Sequence, residues 1–301
     1  MGDCRIENGV LMEYTGEQRR VRVPHGVRRI ETRAFAACKT LEELVLPGSV
    51  KEIGHGAFMH CPRLCEILLP RSVKTMGEAV FAGCVSLARA VLPAGLSLLP
   101  ADTFRGCTAL TEVKWPRRLT YIGDRAFADC VSLCRIRLPR GVVRIDIGAF
   151  EGCTALSEVR LPATLISIED DAFKDCAALT SLTLPKGLKL LSSAVEGCSA
   201  LTELHFLGKG PFDAGIGVFS GAASPLRVTY GGKSEDFEAA VAPSFGPLYH
   251  VTMGDFAHGQ RFPMFHRTLG KDFVCHVTCL GDGKTLTLHG EPYDQTESYG
   301  Y

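Results

Sequence analysis

The chain is predicted to fold as a mainly β repeat solenoid with parallel stacked strands, on the α+β side of the structural classes, and three residue columns make that prediction. Cys38, Cys61, Cys84, Cys107, Cys130, Cys153 and Cys176 recur every 23 residues, and Cys198 follows after 22. Pro24, Pro47, Pro70, Pro93, Pro116, Pro139, Pro162 and Pro185 keep the same step, as do Phe35, Phe58, Phe81, Phe104, Phe127, Phe150 and Phe173. A solenoid places one copy of each such residue per turn, whereas a compact single core has no use for a shared register.

The elements follow in chain order. Cys4 to Glu7 and Val10 to Tyr14 flank Asn8-Gly9, a pair that favours a type I′ turn, so residues 1–23 are expected to form a β-hairpin cap. Such a cap covers the apolar cross-section that a solenoid end exposes. Val21 and Val23 then lead into eight repeats over residues 24–207. Pro93 to Trp115 and Pro139 to Leu161 both fit Pro-x-x-Leu/Val-x-x-Ile/Leu-x-x-x-Ala-Phe-x-x-Cys-x-x-Leu-x-x-Val-x-Leu, with Thr103 in place of alanine.

Within each repeat, triplets such as Leu133, Ile136, Leu138 and Leu156, Val159, Leu161 predict a turn entering a short strand. A second extended run, such as Val50 to Ile53 or Leu165 to Ile168, returns along the opposite face. Proline ends the first strand because it has no N–H to continue a ladder. The phenylalanines are predicted to stack as a column of core rings. The cysteines are predicted to be free and buried: a thiol fills the tight corner after Phe-x-x, and its S–H can donate to a carbonyl left unpaired by the bend. Neighbouring coils, at ~4.8 Å, lie within disulfide range, but one cysteine per coil assigns a repeat position and not a framework of pairs. A straight row of thiols also does not converge on a tetrahedral metal. Cys65 and Cys134 fall outside the ladder.

After the repeats, residues 208–247 are expected to be a degenerate capping repeat and linker. Ile216, Val218 and Phe219 with Leu226, Val228 and Tyr230 suggest a ninth coil without its cysteine, and Ser234 could start a short helix ending before Pro243. Residues 248–301 form a small β-rich tail, with a hairpin of Phe273–Leu280 and Thr285–His289 about Gly281-Asp282-Gly283. About fifty residues make a marginal core, so this tail should pack on the solenoid end or on another subunit. His250, His258, His266, His276 and His289 with Cys275 and Cys279 raise the question of zinc. On a strand the two thiols would lie ~13 Å apart, too far to share one ion. No metal or cofactor is predicted, and a metal-binding or enzymatic C-terminal tail stands as the second alternative to an interaction role.

Composition narrows the function classes. The chain of 301 residues carries 33 Lys and Arg against 33 Asp and Glu, so bulk charge calls for neither nucleic acid nor an anionic membrane. No stretch approaches the ~18 apolar residues of a membrane span. The N-terminus shows no basic segment running into an apolar one, which predicts a cytoplasmic protein. A phosphate-binding glycine loop, a paired metal motif and a nucleophile elbow are all missing from the sequence, so no enzymatic activity is predicted.

The run Ile122-Gly123-Asp124-Arg125-Ala126-Phe127-Ala128-Asp129-Cys130, continuing through Leu133, Ile136, Leu138 and Pro139, resembles the BspA-like, or treponemal-type, leucine-rich repeats. The resemblance covers residues 24–207 in eight copies. It implies a right-handed leucine-rich-repeat coil and an interaction module without catalytic residues. Many such proteins are bacterial surface proteins that bind host or partner-cell proteins, so a cell-surface adhesin is the alternative it implies.

Recognition is expected on the stacked strands. Just before the buried apolar residue of each strand come Glu43, Glu66, Arg89, Glu112, Arg135, Glu158, Ser181 and Glu203. Just after it come Val45, Leu68, Val91, Lys114, Arg137, Arg160, Thr183 and His205. The second column changes from apolar to basic, which suits a protein or peptide partner. Val45, Leu68, Val91, Lys114, Arg135, Arg137, Arg160 and His205 are the predicted contact residues.

Overall fold

The computed structural model describes residues 3–208 throughout and, beyond them, the backbone of strands Asp213–Ala214, Leu226–Tyr230, Gln260–His266, Lys271–Leu280 and Thr285–Pro292. Among the described residues there is strand and turn but no helix. Each coil adds one rung to three hydrogen-bonded seams.

The first seam holds the longer strands. Arg20–Arg22, Glu43–Val45, Glu66–Leu68, Arg89–Val91 and Glu112–Lys114 pair in parallel, each residue opposite its counterpart 23 positions on. Arg135–Arg137 pairs with Glu158–Arg160, and Ser181–Leu184 with Glu203–Phe206. Alternation along these strands turns the central residue inward and its two neighbours outward, as in the exposed–buried–exposed pattern of Glu43–Val45. Beyond each strand, the carbonyl of the proline accepts from the N–H three residues later, as in Val50 to Pro47 at 3.1 Å and Val73 to Pro70 at 3.1 Å.

The second seam holds two-residue strands, from Arg29–Ile30 through Glu52–Ile53 to Thr75–Met76, and again from Leu98–Leu99 to Leu190–Leu191 and Asp213–Ala214. The break after Met76 has a covalent cause. Gly54, Gly77 and Gly123 donate their N–H groups to Ile30, Ile53 and Leu99, but the corresponding residue in the next coil after Gly77 is Pro100, which has none to donate. In that same coil the buried Thr103 hydroxyl donates to the Pro100 carbonyl at 2.6 Å.

The third seam is the bend around each Ala-Phe pair. Arg33, Phe35 and Ala37 donate to the carbonyls of His55, Ala57 and Met59 at 2.8 to 2.9 Å, and the later coils repeat the pattern. The bend requires left-handed backbone at two places per coil. Arg33, Ala79, Asp102, Arg125 and Asp171 occupy one column at φ between 48° and 58°; Ala37, His60, Asp129 and Asp175 occupy the other. Non-glycine residues resist this region; here each is held by an N–H bond to the adjoining coil.

The rings of Phe35, Phe58, Phe81, Phe104, Phe127, Phe150 and Phe173 are fully buried, with neighbouring centroids 5.2 to 5.5 Å apart. Tyr14 supplies the first rung, 5.0 Å from Phe35. It belongs to the N-terminal hairpin, in which Cys4–Glu7 pairs antiparallel with Val10–Tyr14 across Asn8 (φ 51°) and Gly9 (φ 78°). Two positive φ values are what a type I′ turn demands. Val10 and Leu11 also pair in parallel with Arg29 and Ile30, so the cap continues the second seam.

At the other end, Leu226–Tyr230 extends the first seam in parallel from Glu203–Phe206. Thr285–Pro292 then pairs antiparallel with Leu226–Tyr230 and with Lys271–Leu280. The predicted tail hairpin is present, longer at both ends, and it is joined to the end of the solenoid. A further strand, Gln260–His266, pairs with Lys271–Leu280 and has no counterpart in the sequence expectations. Ile216–Phe219, the expected helix from Ser234 to Pro243, His250 and His258 lie outside the described residues. Cys275 and Cys279 sit four positions apart on one strand, and His276 is opposite His289 in the ladder.

Candidate interaction surface

The cysteine ladder is part of the core. Cys61, Cys84, Cys107, Cys130, Cys153, Cys176 and Cys198 are fully buried, and each thiol donates to the carbonyl of a phenylalanine in the coil before it, from Cys61 to Phe35 (3.1 Å) through Cys198 to Phe173 (3.0 Å). Burial is the largest cause that pushes the Cys107 and Cys153 thiols up to about 12, and it drives Cys130 upward as well. A high pKa removes the thiolate that metal binding or nucleophilic attack would need. Cys38 departs from the expected full burial: it begins the ladder and is half-buried. Cys65 and Cys134 are exposed and donate to the carbonyls of Arg63 and Ser132, two residues back on their own coils.

With the interior occupied by structure, the outward residues of the first seam remain. The structure places all eight predicted contact residues along this one face. Val45 and Leu68 are 40% and 56% exposed, Val91 and His205 are half-buried, and Lys114, Arg135, Arg137 and Arg160 are exposed. Register sets Val91 beside Lys114 and Arg137 beside Arg160. The face is rigid underneath, because the residues between the outward pairs are core: Leu44, Ile67, Ala90, Ile136 and Val159 are buried.

Its charges divide into a paired and an unpaired region. Arg20 meets Glu43 at 2.9 Å, and Arg89 bridges Glu66 and Glu112, the latter at 3.1 Å. Arg160 pairs with Glu158 at 2.6 Å, and His205 lies 3.4 Å from Glu203. Exposed pairs of this kind add little stability, but they offset most of the cations of the outer strands, Arg22 being left without a carboxylate among the described residues. Between them Lys114, Arg135 and Arg137 have no carboxylate within ion-pair distance among the described residues, nor do Arg117, Arg118 and Arg140 at the adjoining strand exits. The last three lie past the proline, outside the two strand columns, although Pro116-Arg117-Arg118 and Pro139-Arg140 carry the signal.

The first seam is open at this point, as it is again between Glu158–Arg160 and Ser181–Leu184. Glu112–Lys114 and Arg135–Arg137 fall in separate ladders. Trp115 stands where Leu46, Leu69, Leu92 and Leu138 stand in other coils, and its ring meets Phe127 of the next coil edge-on at 5.4 Å. Val113, inward in sequence, is left half-buried, unlike its equivalents.

A polar cluster on the second seam was also unforeseen. Asp146, 7% exposed, accepts from the Tyr121 hydroxyl and from Arg144 Nη2 at 2.8 Å, while Arg144 Nε lies 3.4 Å from Glu169. The Arg144 guanidinium lies over the Tyr121 ring, 5.6 Å from its centroid. Ile145-Asp146, where Ile53-Gly54 and Ile122-Gly123 have glycine, was the available clue. The cluster ties three neighbouring coils together.

The repeat pattern of the BspA type leucine rich repeat region matches residues 6–134 and 120–210, in six copies. Among solved structures, the chain is similar to a leucine rich repeat protein of T. pallidum, with 35% identity over 56% of this chain and 82% of that one and a TM-score of 0.53. It also matches a leucine-rich repeat protein from Bacteroides ovatus, at 22% identity over 67% of this chain and 76% of that one, TM-score 0.33. A leucine rich cell surface protein from Faecalibacterium prausnitzii matches at 19% identity over 79% of this chain and 94% of that one, TM-score 0.36. No curated protein matches the chain. Among the described residues no helix is long and apolar enough to cross a membrane, and no group of three or more His, Cys, Asp or Glu side chains is arranged to hold a metal. The repeat match spans more than half of the chain, and the chain belongs to the BspA-type leucine-rich-repeat family.

Proposed function

We propose that this protein is a non-enzymatic scaffold that binds a protein or peptide partner on the outward face of its first seam. The observation that carries the reading is a single column that runs from exposed Val45 and Leu68 through Val91 to Lys114, Arg137 and Arg160, on strands fixed by the core beneath. An apolar strip continuous with cations offers burial and charge to the same ligand, and repeat arrays present extended surfaces of this kind. The thiols are core and the Tyr121–Asp146–Arg144 cluster is internally satisfied, and the exposed apolar residues elsewhere, such as Leu98, Ile147 and Ile166, do not adjoin a comparable run of cations along one strand column.

Site-specific crosslinking tests this reading. A photoreactive amino acid at Leu68 or at Arg137 should crosslink one and the same polypeptide in lysate of the source cells. The same group at Lys51 or Lys189, both exposed beside the second seam, should not. Crosslinks arising only from Lys51 and Lys189 would move recognition to the other face.

A further inference from the structure

We infer that the open seam at Trp115 is an anion-recognition site, and that its ligand is a short acidic run of a polypeptide whose preceding apolar residues lie on Val91, Leu68 and Val45. This assignment rests on the strand-face reading above and adds the chemistry of the partner.

The seam has two cationic lips. Lys114, Arg117 and Arg118 lie on one strand and its exit, and Arg135, Arg137 and Arg140 on the next strand and its exit. All six side chains are exposed and lack a carboxylate partner among the described residues. Elsewhere on this face Arg20, Arg89 and Arg160 each have one, whereas Arg22, Arg71 and Lys186, which have none among the described residues, stand singly in separate coils and form no cluster. In a chain of zero formal net charge, six unneutralised cations around one break in a ladder form a local field that attracts anions. The break adds peptide groups released from strand pairing, and arginine forks suit carboxylates geometrically.

The surroundings favour a polypeptide over a sulfated glycan or a nucleic acid. A long polyanion needs a continuous cationic track, but this patch is bounded by Glu66 and Glu112 on one side and Glu158 on the other. A glycan would also leave Val45 and Leu68 uncovered. Val45 to Arg160 spans five coil steps, about 24 Å at ~4.8 Å per step, which an extended segment of about seven residues covers.

Trp115 is the sole tryptophan of the chain, so its emission reports on this seam directly. The probes are a peptide with three valines followed by four glutamates, its twin with lysine for glutamate, and a heparin-derived hexasaccharide. The acidic peptide should change Trp115 emission saturably, with an affinity that falls on the order of tenfold from low salt to 0.5 M salt as charges are screened. Lys114→Glu with Arg137→Glu should weaken it by at least about tenfold, and Leu68→Ser by a few-fold, whereas Lys51→Glu with Lys189→Glu should leave it unchanged. If the reversed variant melts early, Lys114→Gln with Arg137→Gln should still give a several-fold loss. Equal binding of the lysine twin, no binding of the acidic peptide, or tighter binding of the hexasaccharide lost in the same variant would each overturn the proposal. An inert acidic peptide alongside persistent crosslinking from Leu68 would remove the charge assignment and leave the strand-face reading standing. Crosslinks from Lys51 and Lys189 alone would remove both.

Discussion

The thiol of Cys107 donates to the carbonyl oxygen of Phe81, one coil earlier, at 3.1 Å. That oxygen also accepts the N–H of Cys84 at 3.1 Å, so both of its lone pairs are used. The arrangement recurs along the stack, and it explains why cysteine keeps this position. The site is apolar and fully buried, yet it presents an acceptor, and a thiol is small enough to fill the corner while giving a weak donor.

Thiol reactivity in the folded protein should therefore split in two. Cys65 and Cys134 should label within minutes with a maleimide at neutral pH, while Cys61 through Cys198 of the ladder should label only after denaturant is added. Half-buried Cys38 should be intermediate. Mass spectrometry of peptides from a timed reaction reads each site separately.

Alkaline pH should weaken the fold. The Cys107 and Cys153 thiols are pushed up from 9.0 to about 12, chiefly by burial. The unfolded chain loses these protons first, so the stabilisation is intact below about pH 9 and drains away as pH rises toward about 12. Each such thiol contributes a fall of up to about 1.4 kcal/mol per pH unit in that window. Urea midpoints measured from pH 7 to 11 should show the decline, and Cys107→Ala with Cys153→Ala should make it shallower, the raised thiols that remain, Cys130 among them, keeping part of the slope.

Removing one ring from the middle of the stack should be costly. Phe127 touches Phe104, Phe150 and Trp115, and Phe127→Ala should destabilise by about 3–5 kcal/mol through lost burial and a cavity. The same substitution frees the edge contact of Trp115, so a red shift of its emission should accompany the lower urea midpoint.

Asp146 offers a test in which the repeat motif and the local chemistry disagree. Asp146→Gly restores the Ile-Gly step of Ile53-Gly54 and Ile122-Gly123, but it strips the acceptor from the Tyr121 hydroxyl and from Arg144. We expect a net destabilisation of about 1–3 kcal/mol in a urea melt. A gain in stability would show that the backbone preference outweighs the cluster.

The coil-by-coil plan was legible in the sequence because it follows from covalent periodicity. Proline, phenylalanine and cysteine each have one place per turn, and Asn8-Gly9 carries its turn type in its own backbone preferences. The outward columns were legible for the same reason, since alternation on a strand needs no tertiary information. What escaped were departures from the repeat. Pro100 and Trp115 are single residues whose effect depends on the coil beside them: one removes a donor, and the other packs on Phe127 at an open stretch of the first seam. Asp146 finds its partners 25 and two residues away in sequence, at Tyr121 and Arg144. The strand Gln260–His266 pairs with Lys271–Leu280 around Pro263, and proline in a run argues against a strand unless that strand lies at an edge; here it does.

We propose recognition on the first seam, beside the thiol column and not in it. The most direct measurement compares partner capture by the native chain, by Lys114→Glu with Arg137→Glu and Arg160→Glu, and by Cys84→Ala with Cys107→Ala, each scored beside its melting temperature. The charge-reversed protein should lose capture while melting within about 2 °C of the native chain, because its substitutions are exposed. The ladder variant should melt lower yet retain capture while folded. Undiminished capture by the charge-reversed protein, or capture lost by the ladder variant at a temperature where it is folded, would contradict the account.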